Sequence, residues 1–318
     1  MKLRHRFSYE VKPISPYSFR LTVKKPAGWS LFTPFEIYEN ETLWTALRLN
    51  EELAGAKLQS LGQTRRPLIG VDVFTKRPTP GAVRGIIKEG LNDLLGVYDD
   101  LTPFYAFARK DPILKHVIED LYGMHDTLSD SLFARATLAI LLQMTGIKRS
   151  NQMMNCVITR YGQVAEFEQK RIRVWPTPKR ISKLTPGQLA RTCNVGYRAK
   201  SLVKLARMMT ENRGPTYADL NRLSKEQAKR ELMELPGIGD YSADIINRPG
   251  GFPIDVWSSA VFGKLFYGKE PKSGREAIEM VKREGIRRWG RWCWMAFFYI
   301  VQDLENLSTK LNITLRLE

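Results

Sequence analysis

A proline and two glycines, Pro236-Gly237-Ile238-Gly239, interrupt two stretches of helical periodicity. No other feature constrains this chain as much. "SKEQAKRELMEL" runs up to the break and a new helix starts at about Asp240. Glycines allow positive φ and close approach of the backbone to a ligand. The break exposes the first amides of the second helix, which suit an anion such as a phosphate. The segment is therefore a helix–hairpin–helix, able to grip a nucleic-acid backbone without reading its sequence.

The rest of the chain divides into two regions. "FSYEVKP" and "FRLTVKK" alternate in hydrophobicity, with β-branched and aromatic residues, and turn-forming segments join them. "LWTALRLNEELAGAKLQSLG" reads equally as two strands or a helix. After "FTKRPTPG" the pattern turns helical, and "SDSLFARATLAILLQM" is apolar over so wide a face that it must be a central buried helix. The expected fold class is α+β: a small antiparallel β-sheet domain over 1–80, then a large all-α domain over 81–318 carrying the hairpin.

Hydrophobic residues make up 43% of the 318 residues, so the chain can bury a core. The formal net charge is +17, which favours a polyanionic partner, most commonly nucleic acid. The N-terminal "MKLRHRFSYEVK" lacks the apolar core of a signal peptide, and no apolar run is long enough to span a membrane. The expectation is a soluble monomer, cytoplasmic and nucleoid-associated, or nuclear in a eukaryote. Cys156, Cys193 and Cys293 are far apart and include no CxxC, so they build neither a zinc site nor a four-cysteine iron–sulfur cluster. They are expected to be reduced core residues.

"ELPGIGDYSADII" followed by "PIDVW" resembles the helix–hairpin–helix DNA glycosylase superfamily, in particular its 3-methyladenine glycosylase II and 8-oxoguanine glycosylase branches. "FARATLAILLQM" is similar to the alkyladenine-branch helix that ends in a glutamine near DNA, here Gln143. "VGYRAKSL" is similar to the 8-oxoguanine-branch segment whose Tyr-Arg pair reads the opposite base, here Tyr197 and Arg198. "RWGRWCWMAFF" resembles the late pocket helix of both branches. The resemblance covers residues from about 100 to 304. It implies base excision repair: the protein binds double-stranded DNA with a damaged or mispaired base, flips the nucleotide and cuts its N-glycosidic bond. It implies no cofactor beyond a structural monovalent cation seated at the hairpin.

The resemblance places the catalytic carboxylate at Asp255, 18 residues beyond Gly237. Cleavage builds positive charge on the sugar, which a rigid, partly desolvated anion stabilises. Pro253 and Ile254 would fix it. Asp255 equally suits an N-cap of "VWSSAVF". Bifunctional members carry a Schiff-base lysine two residues after the second hairpin glycine; Tyr241 stands there, which argues for direct attack by water. Tyr241, Trp257, Trp292, Trp294 and Phe298 are candidate pocket walls, since aromatic faces stack a flipped base. The same stripe also reads as core. Gly237, Ile238, Gly239 and Lys148 are candidate DNA contacts, with Arg149, Lys200 and Lys264 adding basic charge.

Two departures from the family pattern bear on substrate. Trp294 stands where the 8-oxoguanine branch has a base-reading glutamine. The stretch from Gly237 to Asp255 is also shorter than usual by about one helical turn, with "INRPGGFPID" replacing an apolar helix end. The shorter stretch bears on the shape of the pocket floor; Trp294, the missing lysine at 241, and aromatic stacking, which needs little hydrogen-bond readout, favour alkylated or deaminated bases over 8-oxoguanine. A bifunctional glycosylase/AP lyase with a lysine from elsewhere, and a non-catalytic DNA clamp, are the alternatives.

Overall fold

The computed structural model describes residues 1–27, 35–49, 52–127, 131–247 and 251–315. The chain forms two compact units. One comprises Met1–Phe107, Glu119–Ser131 and Val157–Pro176; the other comprises Ala108–Ile118, Leu132–Cys156 and Thr177–Glu318.

The first unit is built on a five-stranded antiparallel sheet: β1 (His5–Val11), β2 (Ile37–Glu39), β3 (Thr42–Leu49), β4 (Glu52–Ser60) and β5 (Ile69–Thr75), in the order β1-β5-β4-β3-β2. The "LWTALRLNEELAGAKLQSLG" stretch, whose pattern suits helix and strand equally, is the β3–β4 hairpin, with Leu43 opposite Leu58 and Leu47 opposite Ala54. It lacks clean alternation because both faces of the sheet are covered. Leu43, Leu47, Ala56, Leu58, Val71 and Val73 pack with Ile87 and Leu91 of the Gly81–Leu94 helix. On the opposite face, Ala46, Leu53 and Phe74 pack with a second hairpin, β6 (Gln163–Phe167) and β7 (Lys170–Val174).

These coverings alter the expected organisation. The sheet ends at Thr75 and a helix starts at Gly81, close to the expected boundary. The compact unit nevertheless continues to Phe107 and includes β6–β7 from within the region expected to be all-α. The cause is burial: each sheet face needs an apolar cover, and the chain supplies one from each side of the central helix.

The second unit is helical. In the Leu132–Leu142 helix every residue but Leu138 is buried, as its composition requires. Its one cation, Arg135, donates from Nε and Nη2 to the carbonyl of Ile245 at 3.0 and 2.7 Å. Cys156 and Cys193 do not remain separate thiols. The helices Ile147–Tyr161 and Pro186–Cys193 bring their Cα atoms to 5.4 Å, and the two form a disulfide; Cys293 is free and buried. Sequence separation hid this pair, because only the packing of two helices brings them together. No helix among the described residues is long and apolar enough to cross a membrane.

Phe167 shows how tightly β6–β7 fits the sheet. A Cβ at Gly55 would come within 2.5 Å of the Phe167 ring, which also stacks on Phe74 with centroids 4.8 Å apart. Phe167→Ala is expected to destabilise the sheet unit by about 3–5 kcal/mol, read as a lower denaturant midpoint.

Candidate active site

The first hairpin helix, Lys225–Met233, starts at a capping box between Ser224 and Gln227. The chain turns through 234–239, with the Ile238 amide donating to the Leu235 carbonyl at 3.0 Å. The second hairpin helix is Asp240–Ile246, with Asn247 as its C-cap; Pro249 and Gly250 of the "INRPGGFPID" stretch lie outside the described residues. Gly239 caps this helix without any side-chain cap bond, which leaves its leading amides to an external acceptor.

The two glycines have different reasons to be there. Gly237 has φ +82°, and a Cβ there would lie 2.5 Å from Cβ of Ser201. Gly239 is extended, and an added Cβ would meet nothing within 4 Å. The protein's own packing requires the first; only an approaching ligand would require the second. Ile238 is 5% exposed, so its side chain is core and only its backbone is available at the hairpin surface.

Asp255 is the N-cap of the Val256–Tyr267 helix and is 5% exposed. Its Oδ1 accepts from the Ser258 amide at 2.9 Å and the Ser258 hydroxyl at 2.8 Å, while its own amide donates to the Ser258 Oγ at 2.8 Å. Oδ2 has no hydrogen-bond partner among the described residues. Rigidity comes from more than Pro253 and Ile254. Phe252 is fully buried, edge-on to Phe262, Trp289 and Phe297, and a Cβ at Gly285 would overlap its ring.

Tyr241 lies on the first turn of the second hairpin helix. Burial, reinforced by the charge of Asp255, pushes its phenol well above the ordinary tyrosine value, so it stays a neutral hydrogen-bond donor. Trp257 is half-buried, and its indole N–H is buried without a partner among the described residues. Trp292 is half-buried, with the Arg291 guanidinium 4.7 Å from its ring centroid. Trp294 and Phe298, expected as walls, are buried at 6% and 4% exposure, and Trp294 stacks on Phe297. They serve the core; Tyr241, Trp257 and Trp292 keep exposed surface.

The expected DNA contacts divide similarly. Lys148 and Lys200 are exposed, Lys264 is half-buried, and Tyr197 is 63% exposed. Arg198 is turned inward instead: it is 8% exposed, donates from Nη2 to the Gln143 carbonyl and lies 4.6 Å from the centroid of the Tyr197 ring. Its burial lowers the guanidinium's value. Arg149 donates to the Asn194 carbonyl at 2.5 Å. The Gln143 amide is also engaged, donating to the Gly237 carbonyl and the Ser242 hydroxyl, both at 2.7 Å. Gln143 and Arg198 therefore brace the hairpin rather than project from it. The adjacent Met144, which the sequence does not mark out, projects where these two do not. It is 60% exposed with φ +50°, and its apolar side chain has no signal in sequence to separate it from the buried helix before it.

No protein-family model matches the chain. Over 229 residues it is 24% identical to the DNA-3-methyladenine glycosylase of Bacillus subtilis (strain 168), covering 70% of this chain and 74% of that protein. It is 22% identical over 238 residues to a protein of Methanothermobacter thermautotrophicus described as a probable N-glycosylase/DNA lyase, covering 67% and 74%. Among solved structures, the 3-methyladenine DNA glycosylase of Archaeoglobus fulgidus superposes with a TM-score of 0.73 at 20% identity, over 94% of this chain and 99% of that one. The 8-oxoguanine glycosylase/lyase of Clostridium acetobutylicum, bound to double-stranded DNA with cytosine opposite 8-oxoguanine, gives 0.70 at 15% identity, over 98% and 100%. The fold is that of the helix–hairpin–helix DNA glycosylases, and the curated sequence relatives bear glycosylase names.

The contrast between the two glycines gives a direct test. Gly237→Ala is expected to destabilise the fold by about 1–3 kcal/mol. Gly239→Ala should leave stability unchanged but weaken duplex-DNA binding about tenfold, measured by thermal melting and fluorescence anisotropy.

Proposed function

We propose that the protein is a monofunctional DNA glycosylase of base excision repair. It takes a damaged base out of duplex DNA and hydrolyses its N-glycosidic bond, with Asp255 as the catalytic carboxylate. The observation that carries this reading is the divided use of that carboxylate. Oδ1 is spent in the capping box, which fixes the group, while Oδ2 has no bond among the described residues. An anion held this way stabilises positive charge developing on the sugar without reorganising, and can orient the attacking water.

Tyr241 in place of a lysine supports water as the nucleophile. The lysines flanking the second hairpin helix are unsuited to Schiff-base chemistry. Burial alone would lower the Lys229 ammonium, but hydrogen bonds to Asp240 and Asp244 outweigh it and hold it above the ordinary value. Lys282 is paired with the same two aspartates. The hairpin amides hold the DNA backbone, and a structural monovalent cation would take peptide oxygens of this turn, of which the Gly237 carbonyl already accepts from Gln143. Met144 and Tyr197 are exposed side chains next to the residues that brace the hairpin, suited to fill the gap left by a flipped nucleotide.

Alkylated or deaminated bases are the favoured substrates. The half-buried faces of Tyr241, Trp257 and Trp292 support stacking, which attracts a cationic alkylpurine further. The bifunctional alternative is favoured by the lyase names among the similar proteins.

Asp255→Asn should slow base release about 100- to 1,000-fold while DNA binding is retained; wild-type release by this variant would sink the mechanism. The assay is a time course on single-lesion duplexes carrying 3-methyladenine-type purines, hypoxanthine, uracil or 8-oxoguanine. Strand breaks should appear only after alkali, and borohydride should trap no covalent adduct; a trapped adduct would favour the bifunctional reading. Met144→Ala should leave the melting temperature unchanged but weaken binding to a lesion duplex about tenfold.

A further inference from the structure

A four-membered charge cluster lies beside the hairpin. Lys229 Nζ, on the first hairpin helix, is 2.6 Å from Asp240 Oδ1 and 2.7 Å from Asp244 Oδ1. Lys282 Nζ, on the Arg275–Trp289 helix, pairs with Asp240 Oδ2 and lies 2.6 Å from Asp244 Oδ2. Each lysine thus holds the same-numbered oxygen of both aspartates. The Asp244 side chain is only 2% exposed, so its charge requires partners, and pairing at both oxygens fixes the rotation of its carboxylate.

That carboxylate forms the floor under the strap leading to Asp255. A Cβ at Gly251 would come within 2.5 Å of Asp244 Oδ1 and 2.9 Å of Oδ2, so the strap backbone rests directly on it. One residue on, Phe252 packs against Gly285, which shares a helix with Lys282. The helix bearing Lys282 therefore meets the strap twice, through Asp244 under Gly251 and through Gly285 under Phe252. Asp255 follows three residues later.

We infer that Lys282 is a positioning residue for Asp255. It acts by locking the Asp244 carboxylate on which the Gly251 backbone rests, and so fixes residues 251–254, which lead into the catalytic carboxylate. This rests on the proposed catalytic role of Asp255. Without Lys282, Lys229 still pairs with Asp244, so the buried charge keeps a partner. The carboxylate can then turn, and the strap loses its floor.

The test uses the full-length chain and the lesion duplex, from the four named above, that wild type processes fastest. Lys282→Met should lower the single-turnover rate of base release about 10- to 100-fold. Affinity for a duplex bearing a tetrahydrofuran abasic analogue should stay within about twofold, because Asp255 misplacement affects the reacting bond and not the backbone grip. Gly251→Ala, which keeps both lysines and both aspartates but sets a Cβ against the Asp244 carboxylate, should give the same split and serves if Lys282→Met does not fold. The double variant should be no slower than the slower single one, since both act through one displacement. Rate and affinity falling together, multiplicative losses in the double variant, or a wild-type rate in the singles beside an inactive Asp255→Asn would each overturn the inference. An active Asp255→Asn, or no release by wild type from any duplex, would instead remove the reading beneath it.

Discussion

The second hairpin helix is held at both ends by one buried helix. Arg135, on the Leu132–Leu142 helix, donates twice to the Ile245 carbonyl at its end, and Gln143, just past that helix, binds Gly237 and Ser242 at its start. A guanidinium buried among apolar side chains must find acceptors, and a helix C-terminus offers carbonyls at the negative end of its dipole. This requirement ties the central helix to the hairpin. The turn, its leading amides and Tyr241 then inherit a fixed position from the core.

Asp255 shows the same economy on a smaller scale. A helix needs a capping acceptor, and the proposed glycosidic chemistry an immobile anion; one carboxylate can serve both because it has two oxygens. The residues just ahead of it are closely packed. Gly251 lies on a buried carboxylate and Phe252 lies in an aromatic cluster against Gly285, so a strap without helical hydrogen bonds is still well fixed.

Much of this site is legible in the sequence where function imposes a local rule. Pro236-Gly237-Ile238-Gly239 announces a hairpin, Asp255 ahead of "VWSSAVF" a cap, and the "LFARATLAILL" run a buried helix. Residues whose roles depend on direction are not legible. Arg198 and Gln143 have the composition of DNA contacts but face inward, because both find backbone carbonyls within reach. Trp294 and Met144 exchange expected roles: the aromatic is core and the methionine is exposed, since orientation at a helix end is set by neighbours far along the chain. The β3–β4 hairpin was ambiguous for a related reason. A strand covered on both faces loses the alternation that identifies it.

By itself the sequence determined an α+β chain, basic overall, with a small sheet ahead of a helical region that carries a hairpin and an aspartate at a fixed interval. These are properties of local spacing, charge and periodicity, which neighbouring residues decide. Only the tertiary structure decided that β6–β7 covers the sheet, that Cys156 meets Cys193, and that Lys229 and Lys282 clamp Asp240 and Asp244. Each of these joins residues distant in sequence. No local signal specifies such a pair, because burial and charge pairing select partners by position in space.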